Sequence, residues 1–264
     1  MKVLAIIGSP QKKGNSYKIT QRIEKIMKEL GEVEFEYLFL KDVNLEQCRG
    51  CFTCISKGEE LCPLKDDRDK ILEQMLASDG LILVSPSYFY NVTSLMKNFI
   101  DRFAYLTHRP LFFDKQVMAV VTSGGAGIKE TLKYLELVAG GWEAKLVYRL
   151  GAWTPLYPLA LKEMDKIENT INVATRKLHQ ALIRKEPPTP GLGGLLHFRI
   201  IRYHSILEKQ YFPADYHYFE QRKLFEENKK YYVDAKINPF KNMFAWFIEK
   251  IIRPQMRKTL MKDA

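Results

Sequence analysis

The chain has 264 residues, 46% of them hydrophobic and 27% charged, with a net charge of +10. This is the composition of an ordinary globular protein, long enough for one α/β domain with an extension or for two small domains. No apolar run reaches transmembrane length. The early one, Val3–Ile7, stops at Gly8-Ser9-Pro10 and is too short for a signal-peptide core, so a cytoplasmic location is expected.

The first 150 residues alternate β-rich runs with helix-period segments, the pattern of a parallel sheet wound with helices. Strands are expected at Lys2–Ile7, Val33–Leu40, Gly80–Ser85, Gln116–Thr122 and Lys145–Leu150. Helical stripes fall between them: Ile19, Ile23, Ile26, Met27 and Leu30; Ile71, Met75 and Leu76; Leu95, Phe99, Ile100 and Phe103; Leu132, Leu135 and Val138. Five strands and four crossover helices predict a three-layer α/β sandwich. A fifth helix, Lys162–Arg184, carries Met164, Ile167, Ile171, Ala174, Leu178 and Ala181 at spacings of three and four, a packing stripe for the sheet or for another subunit.

"EPPTPGLGG", Glu186–Gly194, breaks that period and reads as a linker. The expected organisation is therefore a domain over 1–185, a linker over 186–194 and a helical, aromatic and basic extension over 195–264. The extension holds fourteen Lys/Arg against eight Asp/Glu, more than half of the chain's excess charge, and can attract anions or an anionic surface. Within it, Phe240, Met243, Phe244, Phe247, Ile248, Ile251 and Ile252 lie on one helical face, followed by Arg253, Arg257, Lys258 and Lys262. Packing on its own domain or on a second subunit is the expected use of that face, with contact to a membrane surface the alternative. "YFPADYHYFEQRKLF" interleaves aromatic and basic residues without a nucleic-acid signature, so no nucleic-acid partner is expected.

Three loops follow strands at what would be one carboxyl edge. "GSPQKKGNS", Gly8–Ser16, precedes the first helix, whose N-terminus offers unpaired N–H groups to an anion. It lacks the lysine of a nucleotide P-loop and the glycines of a dinucleotide fingerprint. Ser9, Asn15 and Ser16 instead supply hydroxyl and amide groups suited to phosphate oxygens, although a well-capped helix after a Gly-Pro turn would look the same. "SPSYFYN", Ser85–Asn91, puts three aromatic residues where they could wall a flat ring, and "TSGGAG", Thr122–Gly127, lets backbone N–H groups approach a ligand.

Together with "CRGCFTCISKGEELCPLKDD" and "SPSYFYNVTSLMKNFIDRF", these loops resemble, in order and spacing, the NAD(P)H-dependent FMN reductases and the related iron-sulfur flavoproteins, over about residues 1–180. The resemblance implies the flavodoxin-like fold, a five-stranded parallel sheet of order 2-1-3-4-5 with the flavin at the switch point. It implies FMN with its phosphate on Ser9, Asn15 and Ser16, its ring against Pro86, Ser87, Tyr88, Phe89, Tyr90 and Asn91, and its polar edge near Ser123, Gly124 and Gly125, with Gln11 and Thr122 also among the cofactor-binding residues. NAD(P)H would pass a hydride to the flavin, and a small acceptor such as a flavin, quinone or nitro compound would take the electrons. No side chain need act as acid or base, so no catalytic residue is expected. A homodimer or higher homo-oligomer is expected, and an iron-sulfur flavoprotein or flavodoxin-type electron carrier between proteins is the alternative.

Cys48, Cys51, Cys54 and Cys62 are all the cysteines of the chain. Their crowding at x2, x2 and x7 spacings with a Cys-Pro end is similar to the loop that wraps a 4Fe–4S cluster in iron-sulfur flavoproteins. Plain flavin reductases resemble it as closely, with thiols that are buried, redox-active or part of the pocket wall. Both readings stand on the sequence. A Cys51–Cys54 redox pair would need a helix N-terminus beneath it, and Asp66, Asp67 and Asp69 are expected in the first turn of the helix that follows.

Overall fold

A computed structural model describes residues 1–260; Lys262 lies outside the described residues. In chain order the elements are β1 (Lys2–Ile7), α1 (Asn15–Leu30), β2 (Glu34–Phe39), α2 (Thr53–Ser56), α3 (Arg68–Ala77), β3 (Gly80–Pro86), α4 (Ser94–Arg102), β4 (Gln116–Ser123), α5 (Ile128–Gly141), β5 (Lys145–Trp153), α6 (Leu161–Arg184), α7 (Leu192–Leu207), α8 (Pro213–Gln221) and α9 (Pro239–Leu260). The chain divides into two compact units. One comprises Met1–Cys48, Lys65–Phe103 and Leu111–Glu186; the other comprises Arg49–Leu64, Ala104–Pro110 and the chain from Pro187 on.

The first unit is built on an all-parallel sheet of order β2-β1-β3-β4-β5, the flavodoxin-like arrangement. Its inner strands read as unbroken apolar runs because both faces are covered: every residue of β4 and the first six of β3 are buried, whereas the edge strands β2 and β5 are half-exposed. Side chains alternate between faces. Val3, Ala5, Ile7, Ile82, Val84, Met118 and Val120 meet Ile19, Ile23 and Ile26 of α1 and Ile171, Ala174, Leu178 and Leu182 of α6. Each such side chain, fully buried, contributes about 1.5–3 kcal/mol. The sheet is therefore the surface that the α6 stripe covers. Met164, at the expected end of that stripe, is exposed, and Leu182 rather than Ala181 completes it. In the opposite layer, Phe99 of α4 packs edge-on against Trp142 at the end of α5, with ring centres 5.9 Å apart.

Of the acidic start expected for the helix α3, Asp69 lies in the first turn and Asp67 is the N-cap, whereas Asp66 stands outside the helix. The helix begins at Arg68, and Asp66 lies before it, its side chain buried, accepting from Arg102 at 2.8 Å and from the Glu46 N–H at 2.8 Å. Pairing with a buried arginine, not the helix dipole, fixes that residue.

In the second unit α7 packs against α8 and α9. Phe198 of α7 stacks on Phe219 and meets Tyr232 edge-on at 4.9 Å, forming an aromatic core with Leu195 and Leu224. The expected linker is shorter than its glycines suggest, because Gly193 and Gly194 already belong to α7. On α9 the burial is inverted: Phe240, Met243, Phe244, Phe247 and Ile251 are exposed, and Ala245 and Glu249 face inward. Glu249 on the inward side pairs with the buried Arg199 at 2.6 Å.

Candidate functional site

The ends of β1, β3 and β4 open into one cleft at the carboxyl edge of the sheet. Ser9, Gln11, Gly14, Asn15 and Ser16 line it from the first loop, Pro86, Ser87 and Tyr88 from the second, Thr122, Ser123 and Gly124 from the third, and Thr154 and Leu156 from the segment after β5. Phe89, Tyr90, Asn91 and Gly125 of the expected set are not among the lining residues. Phe89 is 97% exposed, and Phe89 and Tyr90 both take left-handed backbone conformations in a tight turn closed by the Tyr88 N–H on the Asn91 carbonyl at 2.8 Å.

The first loop is shaped by close approach. A Cβ on Gly8 would lie 2.7 Å from Met96 Cβ, so only glycine lets β1 pass α4 here. Thr93 locks the junction: its hydroxyl donates to the Gly8 carbonyl at 2.6 Å and accepts from the Met96 N–H, capping α4. Ser9 Oγ accepts from the Gln11 N–H at 3.2 Å. At the start of α1, Gly14 is the N-cap, no side chain caps the helix, and the first turn holds no acidic residue. Its N–H groups and the positive end of its dipole are thus left for an anion. Ser16 Oγ is tied to Thr122 Oγ1 at 2.9 Å, which joins the first loop to the end of β4.

The second and third loops are tied in the same way. The Ser87 N–H donates to the Thr122 carbonyl at 2.8 Å, and Thr131 Oγ1 donates to Ser87 Oγ at 2.9 Å. Ser123 Oγ donates to the Ala126 carbonyl and accepts from the Gly125 N–H, holding the glycine turn. Trp153 Nε1 reaches the Gly124 carbonyl at 3.2 Å. None of the lining residues is Asp, Glu, His, Lys or Arg. The cleft therefore offers neutral donors and a helix end, a donor set that fits a phosphate and a polar aromatic ring.

The cysteine segment is held differently. Cys48 closes the first unit, its N–H donating to Asn98 Oδ1 at 2.9 Å. In the second unit, Arg109 donates to the carbonyls of Cys54 and Ile55, to Glu59 Oε2 at 2.9 Å and to Asp215 of α8. Asp215 is fully buried and also lies 2.7 Å from His108 Nδ1. Cys54 sits inside the single turn α2, Cys62 is buried, and Cys51 is exposed just before that turn. Hydrogen bonds from the Thr53 hydroxyl and backbone hold the Cys51 thiol below its ordinary range, with Arg49 adding to the effect. Among the described residues no three His, Cys, Asp or Glu side chains are gathered where they could hold one metal ion.

The family model for NADPH-dependent FMN reductase matches residues 1–153, more than half of the chain. The chain belongs to this family. Two iron-sulfur flavoproteins of Archaeoglobus fulgidus are similar to it: one is 39% identical over 144 residues, 54% of this chain and 64% of that protein, and the other 42% identical over 180 residues, 66% and 78% of the two chains. The chain thus spans somewhat less than two thirds of the first. The structure is similar in fold to an NAD(P)H:quinone oxidoreductase from Methanothermobacter marburgensis, with a TM-score of 0.55 at 18% identity over 67% of this chain and 96% of that one. The FMN reductase match ends at Trp153, so the two lining residues that sequence reasoning missed beyond it, Thr154 and Leu156, lie outside both the matched stretch and any glycine or hydroxyl motif. Gly14 was missed for another reason: it contributes backbone, not a side chain.

Proposed function

We propose that the chain is an FMN-dependent oxidoreductase that takes electrons from NAD(P)H and delivers them to a small acceptor such as a flavin, quinone or nitro compound. The observation that carries this reading is the uncapped, acid-free start of α1 opening into the same cleft as the β3 and β4 loops. Ser9, Asn15 and Ser16, with the first-turn N–H groups of α1, would hold the phosphate. Pro86, Ser87 and Tyr88 would flank the ring, and Thr122, Ser123 and Gly124 would meet its polar edge.

FMN bound there would supply the two-electron chemistry between nicotinamide and acceptor. The residues have simpler tasks. The helix end offsets phosphate charge without a lysine, the Ser16–Thr122 and Ser87–Thr122 bonds fix the spacing of the three loops, and Tyr88, half-exposed, leaves one side of the cleft open to a second ring. No lining side chain is a carboxylate, imidazole, thiol or amine, so none is asked to move a proton.

The test is the visible spectrum of the purified chain before and after anaerobic addition of NADPH, followed by a quinone. Flavin bands that bleach with NADPH and return with the quinone support the reading. A colourless protein that does not take up FMN refutes it, and a flavin that NADPH leaves oxidised assigns the chain to electron carriage between proteins. The names of the relatives favour a second reading, in which the four cysteines take an iron-sulfur cluster. Iron and acid-labile sulfide at about four each per chain would establish it.

A further inference from the structure

The second unit contains a cleft of about 390 Å³ bordered by α7 and α9, within the size range of small-ligand sites. Three arginines converge in it on one carboxylate. Arg199 Nη1 donates to Glu249 Oε2 at 2.6 Å, Arg253 Nη2 donates to Glu249 Oε1 at 2.7 Å, and Arg202 Nη2 stands 3.9 Å from the same Oε1. The other bonds are to neutral acceptors: Arg199 to Asn242 Oδ1 at 2.9 Å and Arg202 to the Lys229 carbonyl at 3.0 Å.

The charge does not balance. Arg199 and Glu249 are 7% and 4% exposed, and the Nε atoms of Arg199 and Arg253 are buried without a hydrogen-bond partner. Around them Lys229, Lys230 and Lys250 line the cleft against Glu227, which makes six cationic groups against two carboxylates. Burial lowers the proton affinity of Arg202; Glu249 opposes that shift, and Arg199 and Arg253 add to it. Buried guanidinium in excess of its counterions is unfavourable until an anion completes the set. At the cluster itself three arginines face one carboxylate, an excess of two charges to which the more exposed rim lysines add, and guanidinium groups match phosphate oxygens. Trp246 and Met243, both about half-exposed, add an apolar wall beside Lys250, whose ammonium lies 5.6 Å from the Trp246 ring centre.

We propose that this cleft binds a phosphorylated ligand, its phosphoryl oxygens taken by the arginine cluster and the rim lysines and the rest of the molecule resting on Trp246. It shares no lining residue with the cleft of the first unit.

The test is calorimetric titration of the full chain, saturated with FMN, with pyrophosphate and with ADP. One site per chain is expected, weakened at least about tenfold, or ~1.4 kcal/mol, by Arg202→Ala. Because Arg202 is packed, Lys230→Glu and Lys250→Glu are the parallel variants; both positions are exposed, and each change is expected to weaken binding several-fold. A second arm measures co-sedimentation with phosphatidylglycerol vesicles. Pyrophosphate binding lost in the variants identifies a soluble phosphoryl ligand, and vesicle binding lost in the same variants, without pyrophosphate binding, identifies a lipid phosphate. Absence of both in the wild type, or binding indifferent to all three substitutions, overturns the proposal.

Discussion

Replacing Asp215 tests how the cysteine segment is held. Its carboxylate is fully buried, and it pairs with Arg109, itself only 4% exposed, and with His108. Asp215→Ala leaves a buried guanidinium without its main counterion, a change that costs about 3–5 kcal/mol in comparable sites. Glu59, 34% exposed, stays bonded to Arg109 and places the expected loss near the lower end, ~3 kcal/mol. At a urea dependence of about 2 kcal/mol/M, that moves the unfolding midpoint of the second unit by ~1.5 M. Because Arg109 also holds the Cys54 and Ile55 carbonyls, the native-state reaction of Cys54 and Cys62 with a thiol reagent should accelerate, while the exposed Cys51 keeps its rate. Asp215→Asn, which keeps shape and loses charge, should fall between. An unchanged midpoint together with an unchanged Cys62 rate would refute the reasoning.

Two further outcomes are expected. Gly127 has φ +93°, and a Cβ there would lie 2.4 Å from Ser87 Oγ and 2.9 Å from Tyr90 Cα. Gly127→Ala should cost about 1–3 kcal/mol in backbone strain alone and, by displacing the 87–90 turn, weaken FMN binding at least about tenfold in a fluorescence titration. His179 and His204 have proton affinities depressed by burial, and His179 Nε2 and His204 Nδ1 are buried without partners. Their folded-state pKa values lie below the unfolded value of about 6.5, so the unfolded chain takes up protons first as pH falls. Thermal stability should therefore decline as pH drops below about 6.5 and level off once the folded-state values are passed. The paired variant His179→Gln with His204→Gln should flatten that slope; an unaltered slope would assign it to other groups.

The sheet was legible because its inner strands are buried on both faces and so run apolar without interruption; Lys2–Ile7 matches to the residue, and β5 differs only in running on to Trp153. The three site loops were legible because each follows such a strand and carries glycine, hydroxyl or aromatic residues. Less visible were features that depend on residues distant in sequence. Asp66 pairs with Arg102, and Arg109 joins the Cys54 carbonyl to Asp215; no local period or motif encodes either contact. Helix α9 shows the limit of amphipathic patterning, since its apolar stripe fits packing on its own domain, on a second subunit or on a membrane surface alike, and here the stripe is exposed while Glu249 is buried. The fate of the cysteines was undetermined for a related reason: their spacing is compatible with a cluster and with plain thiols alike, and the anchoring of the Cys54 and Ile55 carbonyls by Arg109 depends on a residue distant in sequence.

The central claim is that the start of α1 holds the phosphate of a flavin. Comparing the affinities of the flavin-free chain for FMN and for riboflavin, which differ only in that phosphate, addresses it most directly. The account predicts one FMN per chain and riboflavin binding weaker by at least about a hundredfold, ~2.8 kcal/mol. Equal affinity for the two, or no binding of either, would contradict it.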